Sequence, residues 1–407
     1  YIIGLLLNLV FLGIMYCIPI TRDNVKAALG ENKCYYNTMT DLPGYVALAK
    51  NYLEYGTFGT GNNAECTRQV GFPFIIAMFI QVFGEYWLIA MQIFQCFLFA
   101  LFYPVTTLIA REFGLKRTEK YVFIFMCVFA IYYMRVPLIL TDGISALFFI
   151  IALLYGMKFY RELTYQNLLM YLLFCTLAMM IRPIYMLLPI LNLAIAYYRN
   201  VTNWIVPIGL SVVILFLVNI STVRNYVNQG FFAPSNVVGI NAMYLGGKIL
   251  RMSGENEYLA KCDSILLSIK DINVQNTESK KKLFEVIKGH PVETFRVISG
   301  NIGNVMLNPN PMLIMSYFGM EYDRKIKKQF IDNPTFGYGV MFFIYYLLIL
   351  VYLIISIMFI ISWLKSDVKT KILIAVIFVM ILFPAFLMGS SGDRLRLPIQ
   401  SIILIFA

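Results

Sequence analysis

Two aspartates and a set of arginines are the residues of this chain whose type and position suit chemistry. Asp41 follows the first apolar run and heads the segment DLPGYVALAKNYLEYG, while Asp142 follows Pro137, Leu138, Ile139, Leu140 and Thr141 at the start of a later apolar run. A carboxylate so placed can take the proton of an attacking hydroxyl as a general base. Either one also suits the N-cap of a helix, where Asp is among the favoured residues. Ionisable groups at the margin of a bilayer are costly and often functional, which favours a site. Arg68, Arg135, Arg182, Arg224, Arg394 and Arg396 fall near the ends of apolar runs, on the side expected for Asp41. Guanidinium is the preferred partner for phosphate oxygens, because its planar fork makes paired, charge-assisted hydrogen bonds. A single such arginine is a snorkelling interfacial residue; together they outnumber what anchoring requires.

Other chemistries lack their residues. The one histidine, His290, precedes Pro291 and suits a loop or helix boundary, with no second histidine to share a metal. There is no P-loop, no GxGxxG between a strand and a helix and no GxSxG, so nucleotide and serine hydrolysis are unsupported. Of 7 cysteines, Cys17, Cys96, Cys127 and Cys175 sit in apolar runs, where a thiol behaves as a small hydrophobe. Cys34 and Cys66 share one polar segment, where a disulfide and a pair of free thiols are both open, and Cys262 is left over. No metal-ligand spacing occurs, so no residue is assigned to a metal, and a divalent ion is the one cofactor left open.

The elements that must position these residues are membrane helices. Of 407 residues, 60% are hydrophobic and only 14% charged, and the mean hydropathy is +0.73; a soluble domain carries about 25% charged residues. The net charge of +11 is scattered between apolar runs rather than gathered on a face or arm, which excludes a nucleic-acid partner. Runs long enough to span lie near 1–20, 86–110, 121–134, 142–160, 166–182, 184–198, 203–220, 338–363, 372–389 and 396–407, about ten spans in all. The first is too long for a signal-peptide core and reads as a retained helix. Short connections carry Arg111, Lys116, Arg117 and Lys120, then Lys158 and Arg161, then Arg199, then Lys365, Lys369 and Lys371. Alternating spans put all four on one side, which the positive-inside rule makes cytoplasmic.

Two long segments then face outside, 21–85 and 221–337. In the first, Tyr45, Leu48, Ala49, Tyr52 and Leu53 alternate with Lys50, Asn51 and Glu54 at helical spacing, which predicts an amphipathic helix on the membrane surface. Gly71–Gly84 is too short to span comfortably and suits a second interfacial or partly inserted helix. In the second, Leu266, Leu267, Ile269, Leu283, Phe284 and Ile287 predict a small helical cap. The expected organisation is a bundle over 1–220 whose first outside loop carries the site, a cap over 221–337, and C-terminal helices over 338–407.

The ordered blocks DLPGYVALAKNYLEYGTF, RQVGFPFIIAMFIQVFG, LTDG, IRP, VRNYVNQGFFAPSNVVGIN, GHP and GDRLRLPIQ cover nearly the whole chain. In that order the chain resembles the polytopic GT-C glycosyltransferases related to protein mannosyltransferases and lipid A aminoarabinose transferases. The resemblance implies an all-α transmembrane bundle, interfacial helices in the first outside loop, and a polyprenyl-phosphate-linked sugar as donor. It also implies inversion at the anomeric carbon, with a glycan, lipid or protein as acceptor. Asp41 then matches the family's catalytic base and Asp142 its second acid. Tyr45 and the arginines are expected at the donor phosphate and substrate. Leu42 stands where the protein mannosyltransferase branch has a second acid, and no WWD-type motif occurs, which makes a monosaccharide the simpler cargo. The expected setting is the plasma membrane of a bacterium or archaeon, with the site facing outside. A flippase or transporter of lipid-linked sugars, a surface polysaccharide polymerase or ligase, and a structural role in a membrane complex are the competing readings.

Overall fold

An apolar run in lipid must satisfy its own backbone hydrogen bonds, and a helix does so within one segment. The chain follows that rule: among the described residues it is helical apart from a two-strand hairpin and connecting turns. The computed structural model describes residues 1–17, 42–66, 68–115, 139–255, 269, 271–307, 336–388 and 397–407. Four helical stretches there are long and apolar enough to cross a membrane: Gly71–Glu112, Thr141–Glu162, Ile205–Gln229 and Tyr346–Lys365. Shorter apolar helices cover Ile2–Ile14, Tyr165–Ile181 and Pro183–Tyr198. The expected span over 121–134 lies outside the described residues.

Helix α1 (Ile2–Cys17) is followed by α2 (Leu42–Tyr55) and the hairpin β1 (Gly59–Thr60) and β2 (Asn63–Ala64). Next come α3 (Gly71–Phe83), α4 (Trp87–Ala100) and α5 (Phe102–Glu112). The apolar stretch from Gly71 is not one rod. Gly84 adopts φ 53°, ψ −124°, open to glycine without steric cost, and α3 folds back so that Phe79 meets Phe94 with ring centroids 5.3 Å apart. The separate short helix expected over Gly71–Gly84 is therefore observed, docked on α4.

At the centre stands α6 (Thr141–Glu162), with α7 (Tyr165–Ile181) folded against it, then a 3-10 turn (Pro183–Leu187) and α8 (Leu188–Tyr198). In its apolar window α6 is 83% buried, against 24% for Ile205–Gln229 and 17% for Tyr346–Lys365, so α6 is interior and the other two are peripheral. On α9 (Ile205–Val218) Ile205 is 78% exposed and Phe216 71%. Such side chains turned outward along a whole helix mean that the surrounding solvent is apolar.

The helix expected to stop near 220 does not stop there: α10 (Ile220–Gln229) continues α9 past Asn219. Thr222 and Asn225 are buried rather than exposed to lipid, and Ser221 and Asn225 have hydrogen-bond partners, Gln69 and the Ala233 carbonyl. The helix ends where Gly230 supplies the left-handed C-cap, φ 65°. Beyond it, α11 (Val237–Ser253), α12 (Ile272–Gly289) and α13 (Pro291–Leu307) form a small helical unit around Ala242, Leu245, Ile249, Leu250, Leu283 and Val286. Phe284, expected in that stripe, points away and is 70% exposed. The buried row of α12 is Asn276, Ser279, Leu283 and Val286, because the spacing of three and four selects Leu283 over its neighbour. Leu266 and Leu267 lie outside the described residues. His290 is the C-cap of α12, as a helix-boundary role requires, and its Nε2 lies 3.3 Å from Glu255 Oε1.

The C-terminal helices are α14 (Phe336–Lys365), α15 (Val368–Met388) and α16 (Leu397–Phe406), close to the expected bounds. Val305 of α13 packs against Ile184 and Leu382, which seats the small helical unit on the bundle near the end of α7.

Candidate functional site

The site grows from the first turn of α6. Leu140, extended at φ −136°, is the N-cap residue and makes no side-chain cap, so neither Thr141 nor Asp142 fills that role. Asp142 is 1% exposed, and its Oδ1 accepts a hydrogen bond from Arg182 Nη1 at 2.5 Å. Arg182 reaches it because Pro183 disfavours helical geometry in the residue before it. Arg182 is accordingly extended, φ −142°, ψ 129°, and leaves α7 toward α6. Thus the short motif IRP positions a guanidinium and LTDG supplies its carboxylate. The pair is nearly buried, with the Arg182 side chain 14% exposed.

A second strand of the site comes from the segment between the hairpin and α3. A Cβ on Gly71 would stand 2.5 Å from the Met180 carbonyl oxygen, so only glycine allows α3 to start against the end of α7, close in sequence to Arg182. Just upstream, Arg68 lies over the Tyr45 ring, 5.4 Å from its centroid, and pairs loosely with Glu65 at 3.4 Å. Its guanidinium also covers Gly44, where a Cβ would meet it at 2.9 Å. Arg68 therefore packs on the first turn of α2. The Tyr45 ring in turn meets Phe72 edge-on at 5.1 Å, which makes it a platform for the cation.

The same segment is tied to α10. Arg224 Nη2 donates to the Glu65 carbonyl at 2.9 Å, and its Nε and Nη2 donate to Asn225 Oδ1 at 3.0 and 2.6 Å. Asn225, fully buried, donates to the Ala233 carbonyl at 2.8 Å. Gln69 donates to the Pro234 carbonyl at 2.9 Å and accepts from Ser221 Oγ at 2.6 Å, and Asn236 N–H donates to the Cys66 carbonyl at 3.2 Å. Gln229 Nε2 donates to the Ala64 carbonyl. Cys66 is a free, buried thiol; burial pushes its pKa up, and the Arg224 guanidinium beside it draws it partway back. Cys34 lies outside the described residues.

Of the residues expected at the site, Arg68, Tyr45 and Arg224 are gathered around Glu65–Gly71, and Asp142 with Arg182 adjoins that segment through Gly71. Asp41, Arg135, Arg394 and Arg396 lie outside the described residues. Sequence does not single out Gln69, Ser221 or the Glu65 carbonyl, whereas Asn225 belongs to the VRNYVNQGFFAPSNVVGIN block. Their signal was the presence of amides beside the arginines, since a buried amide must find partners. Helical spacing places Asn51 on the polar side of α2 with Lys50 and Glu54. Its amide donates to the Thr57 and Gly61 carbonyls at 2.8 and 2.9 Å and accepts from Gly61 N–H at 2.7 Å, and so holds the hairpin closed. Among the described residues no three His, Cys, Asp or Glu side chains are placed to hold a metal ion.

The opposite end of α6 gathers the basic connections. Glu112, ending α5, accepts from Arg161 Nη1 at 2.6 Å and is also paired with Arg199, whose Nε donates to the Met157 carbonyl at 3.1 Å. Lys369 lies over the Tyr197 ring at 5.6 Å. The connections carrying Arg111, Arg161, Arg199 and Lys369 therefore share one end, as the alternation of spans requires. Asp367 accepts from Thr370 N–H and Oγ at 2.9 and 2.8 Å, and those hydrogen bonds hold its carboxyl below the usual range.

No family model matches the chain, and no curated protein or solved structure is detectably similar to it.

Proposed function

We propose that the chain is a polytopic membrane glycosyltransferase of GT-C type, with about ten spans. It moves a monosaccharide from a polyprenyl-phosphate donor to a lipid, glycan or protein acceptor. The reaction takes place on the extracytoplasmic face of a bacterial or archaeal plasma membrane. The observation that carries this reading is the gathering of Arg68 and Arg224 around Glu65–Gly71, a segment packed on the first turn of α2 directly after Asp41 and joined through Gly71 and Met180 to the end of α7, where Arg182 follows. Among the described residues Arg68 pairs with Glu65 and Arg182 with Asp142, while Arg224 donates to the Glu65 carbonyl and to Asn225 Oδ1.

In the proposed reaction the acceptor oxygen attacks the anomeric carbon from the face opposite the phosphate. The bond from that carbon to the phosphate oxygen breaks, the acceptor proton passes to the Asp41 carboxylate, and the configuration inverts. The donor phosphodiester leaves as a phosphate monoester and gains negative charge, so cations that face it act on the transition state. Arg68 and Arg224 are assigned to that phosphate. Asp142, buried and paired, is assigned to holding Arg182 in position rather than to contacting the acceptor. Alignment of two reactants contributes up to about 7–11 kcal/mol to such a transfer.

The test is transfer of labelled sugar from a panel of polyprenyl-phosphate monosaccharides by the purified protein in lipid. Asp41→Asn keeps the shape and removes the base, and should lower turnover by about 100-fold or more with folding unchanged. Near-normal turnover of that variant would remove Asp41 from its role. Absence of transfer with every donor, together with movement of the lipid between leaflets, would make the protein a flippase.

A further inference from the structure

A cavity of about 480 Å³ opens between the ends of α6, α8 and α15, lined by Tyr160, Arg161, Tyr198, Arg199, Asn200, Asp367 and Lys369. It lies at the other end of α6 from Asp142, about 29 Å along the helix at 1.5 Å per residue, and is separate from the proposed transfer site. We propose that this cavity binds a phosphate ester, the headgroup of an anionic phospholipid or a soluble phosphate, with Lys369, Arg199 and Asn200 as its donors.

The charges around the cavity are mostly matched, and the pattern of matching leaves one cation, Lys369, without a carboxylate partner among the described residues. Glu112 is shared by Arg161 and Arg199, and Glu162 is held by Arg161 and by Asn167 Nδ2 at 3.0 Å. Asp367 faces the cavity but its oxygens accept from Thr370. Lys369 forms no ion pair among the described residues and rests on the Tyr197 ring. Arg199 is fixed by Glu112 and the Met157 carbonyl. Asn200 takes the left-handed conformation, φ 58°, that Asn tolerates better than most residues, and lines the cavity where α8 ends.

The cavity volume falls in the range of small-ligand sites, about 300–1,000 Å³. Its depth along α6 matches the far edge of a hydrocarbon core about 30 Å thick, where a phospholipid phosphate sits. Tyr160 and Tyr198 supply the aromatic walls usual at that level, and basic pockets between spans on the cytoplasmic side take phosphate headgroups.

The test uses the full chain in neutral detergent, titrated with fluorescent short-chain phosphatidylglycerol, with phosphatidylcholine as the neutral counterpart and inorganic phosphate as competitor. Saturable binding of phosphatidylglycerol over phosphatidylcholine is expected. Lys369→Gln, which leaves no carboxylate unpaired, should weaken it about fivefold. Asp367→Asn keeps the helix cap, removes the repelling carboxylate and should tighten it. Lys288→Gln on the distant α12 should change nothing. Competition by inorganic phosphate at millimolar levels identifies a soluble phosphate ester as the natural ligand; binding without such competition identifies the lipid headgroup. Equal binding of both lipids, no binding of either lipid or phosphate, or affinity unmoved by Lys369→Gln and Asp367→Asn, would overturn the proposal.

Discussion

Among the described residues, a buried carboxylate at the Thr141 end of α6 meets the Arg182 guanidinium, while at the Glu162 end one buried carboxylate is shared between Arg161 and Arg199. The first pair is fixed by a proline that turns Arg182 out of its helix, and on the adjoining segment Arg224 stands on neutral oxygens and Arg68 on an aromatic ring and, loosely, on Glu65. The second is a brace across α5, α6 and α8, built on side chains from three helix ends. Both gather charge at an end of the central helix, yet they differ in what is left uncommitted. The first end presents cations beside the segment that follows Asp41, and the second presents them around a cavity. Electrostatic form follows from which carboxylates the packing assigns to which arginines, not from the number of basic residues.

That comparison can be broken most directly at Arg182. Arg182→Gln takes a guanidinium away from Asp142, which is 1% exposed, and should cost about 3–5 kcal/mol, read as a loss of thermal stability in lipid. The double variant Asp142→Asn with Arg182→Gln should recover most of that loss; equal loss in both would mean the pair is not coupled. Glu112→Gln is expected to cost less, about 2–3 kcal/mol, because Arg161, 47% exposed, can turn to water while Arg199, 15% exposed, cannot. If Glu112→Gln proves the milder by a wide margin, the brace at that end is dispensable.

Gly71→Ala sharpens the first end alone. A methyl against the Met180 carbonyl should force α3 away from α7 and cost about 1–3 kcal/mol, with a fall in transfer beyond the fall in folded yield. Transfer tracking folded yield would uncouple that contact from the site. The smallest effect belongs to Asp367, whose pKa is lowered by the Thr370 hydrogen bonds. A lowered value means that its stabilising contribution is complete above the ordinary carboxylate range and is lost as pH falls through the folded value. Asp367→Asn should therefore cost at most about 0.5 kcal/mol at neutral pH, given its exposure, and flatten the acid limb of the stability profile. An unchanged acid limb would show that the cap carries no linkage.

Much of the fold was legible because the helices of a bilayer protein are written in length and hydropathy. The expected spans 142–160, 166–182 and 338–363 meet helices Thr141–Glu162, Tyr165–Ile181 and Phe336–Lys365. The misplaced boundary at 220 arose because polar Ser221, Thr222 and Asn225 look like the start of a loop, whereas packing buries Thr222 and Asn225 and Gln69 accepts from Ser221 inside a continuing helix. Phe284 misled for the opposite reason: an apolar residue beside a buried one need not share its face.

At the candidate site the sequence by itself determined which residue types were present, that basic connections alternate with polar segments, and that Pro183 would hold Arg182 extended, since all of these are local properties of the chain. The tertiary structure alone decided that Asp142 belongs to Arg182, that Glu112 serves two arginines, and that Arg224 and Gln69 stitch α10 to the segment before α3. Those pairings join residues far apart in sequence, and a buried charge or amide takes whichever partner packing brings within hydrogen-bond reach, a choice that no periodicity encodes.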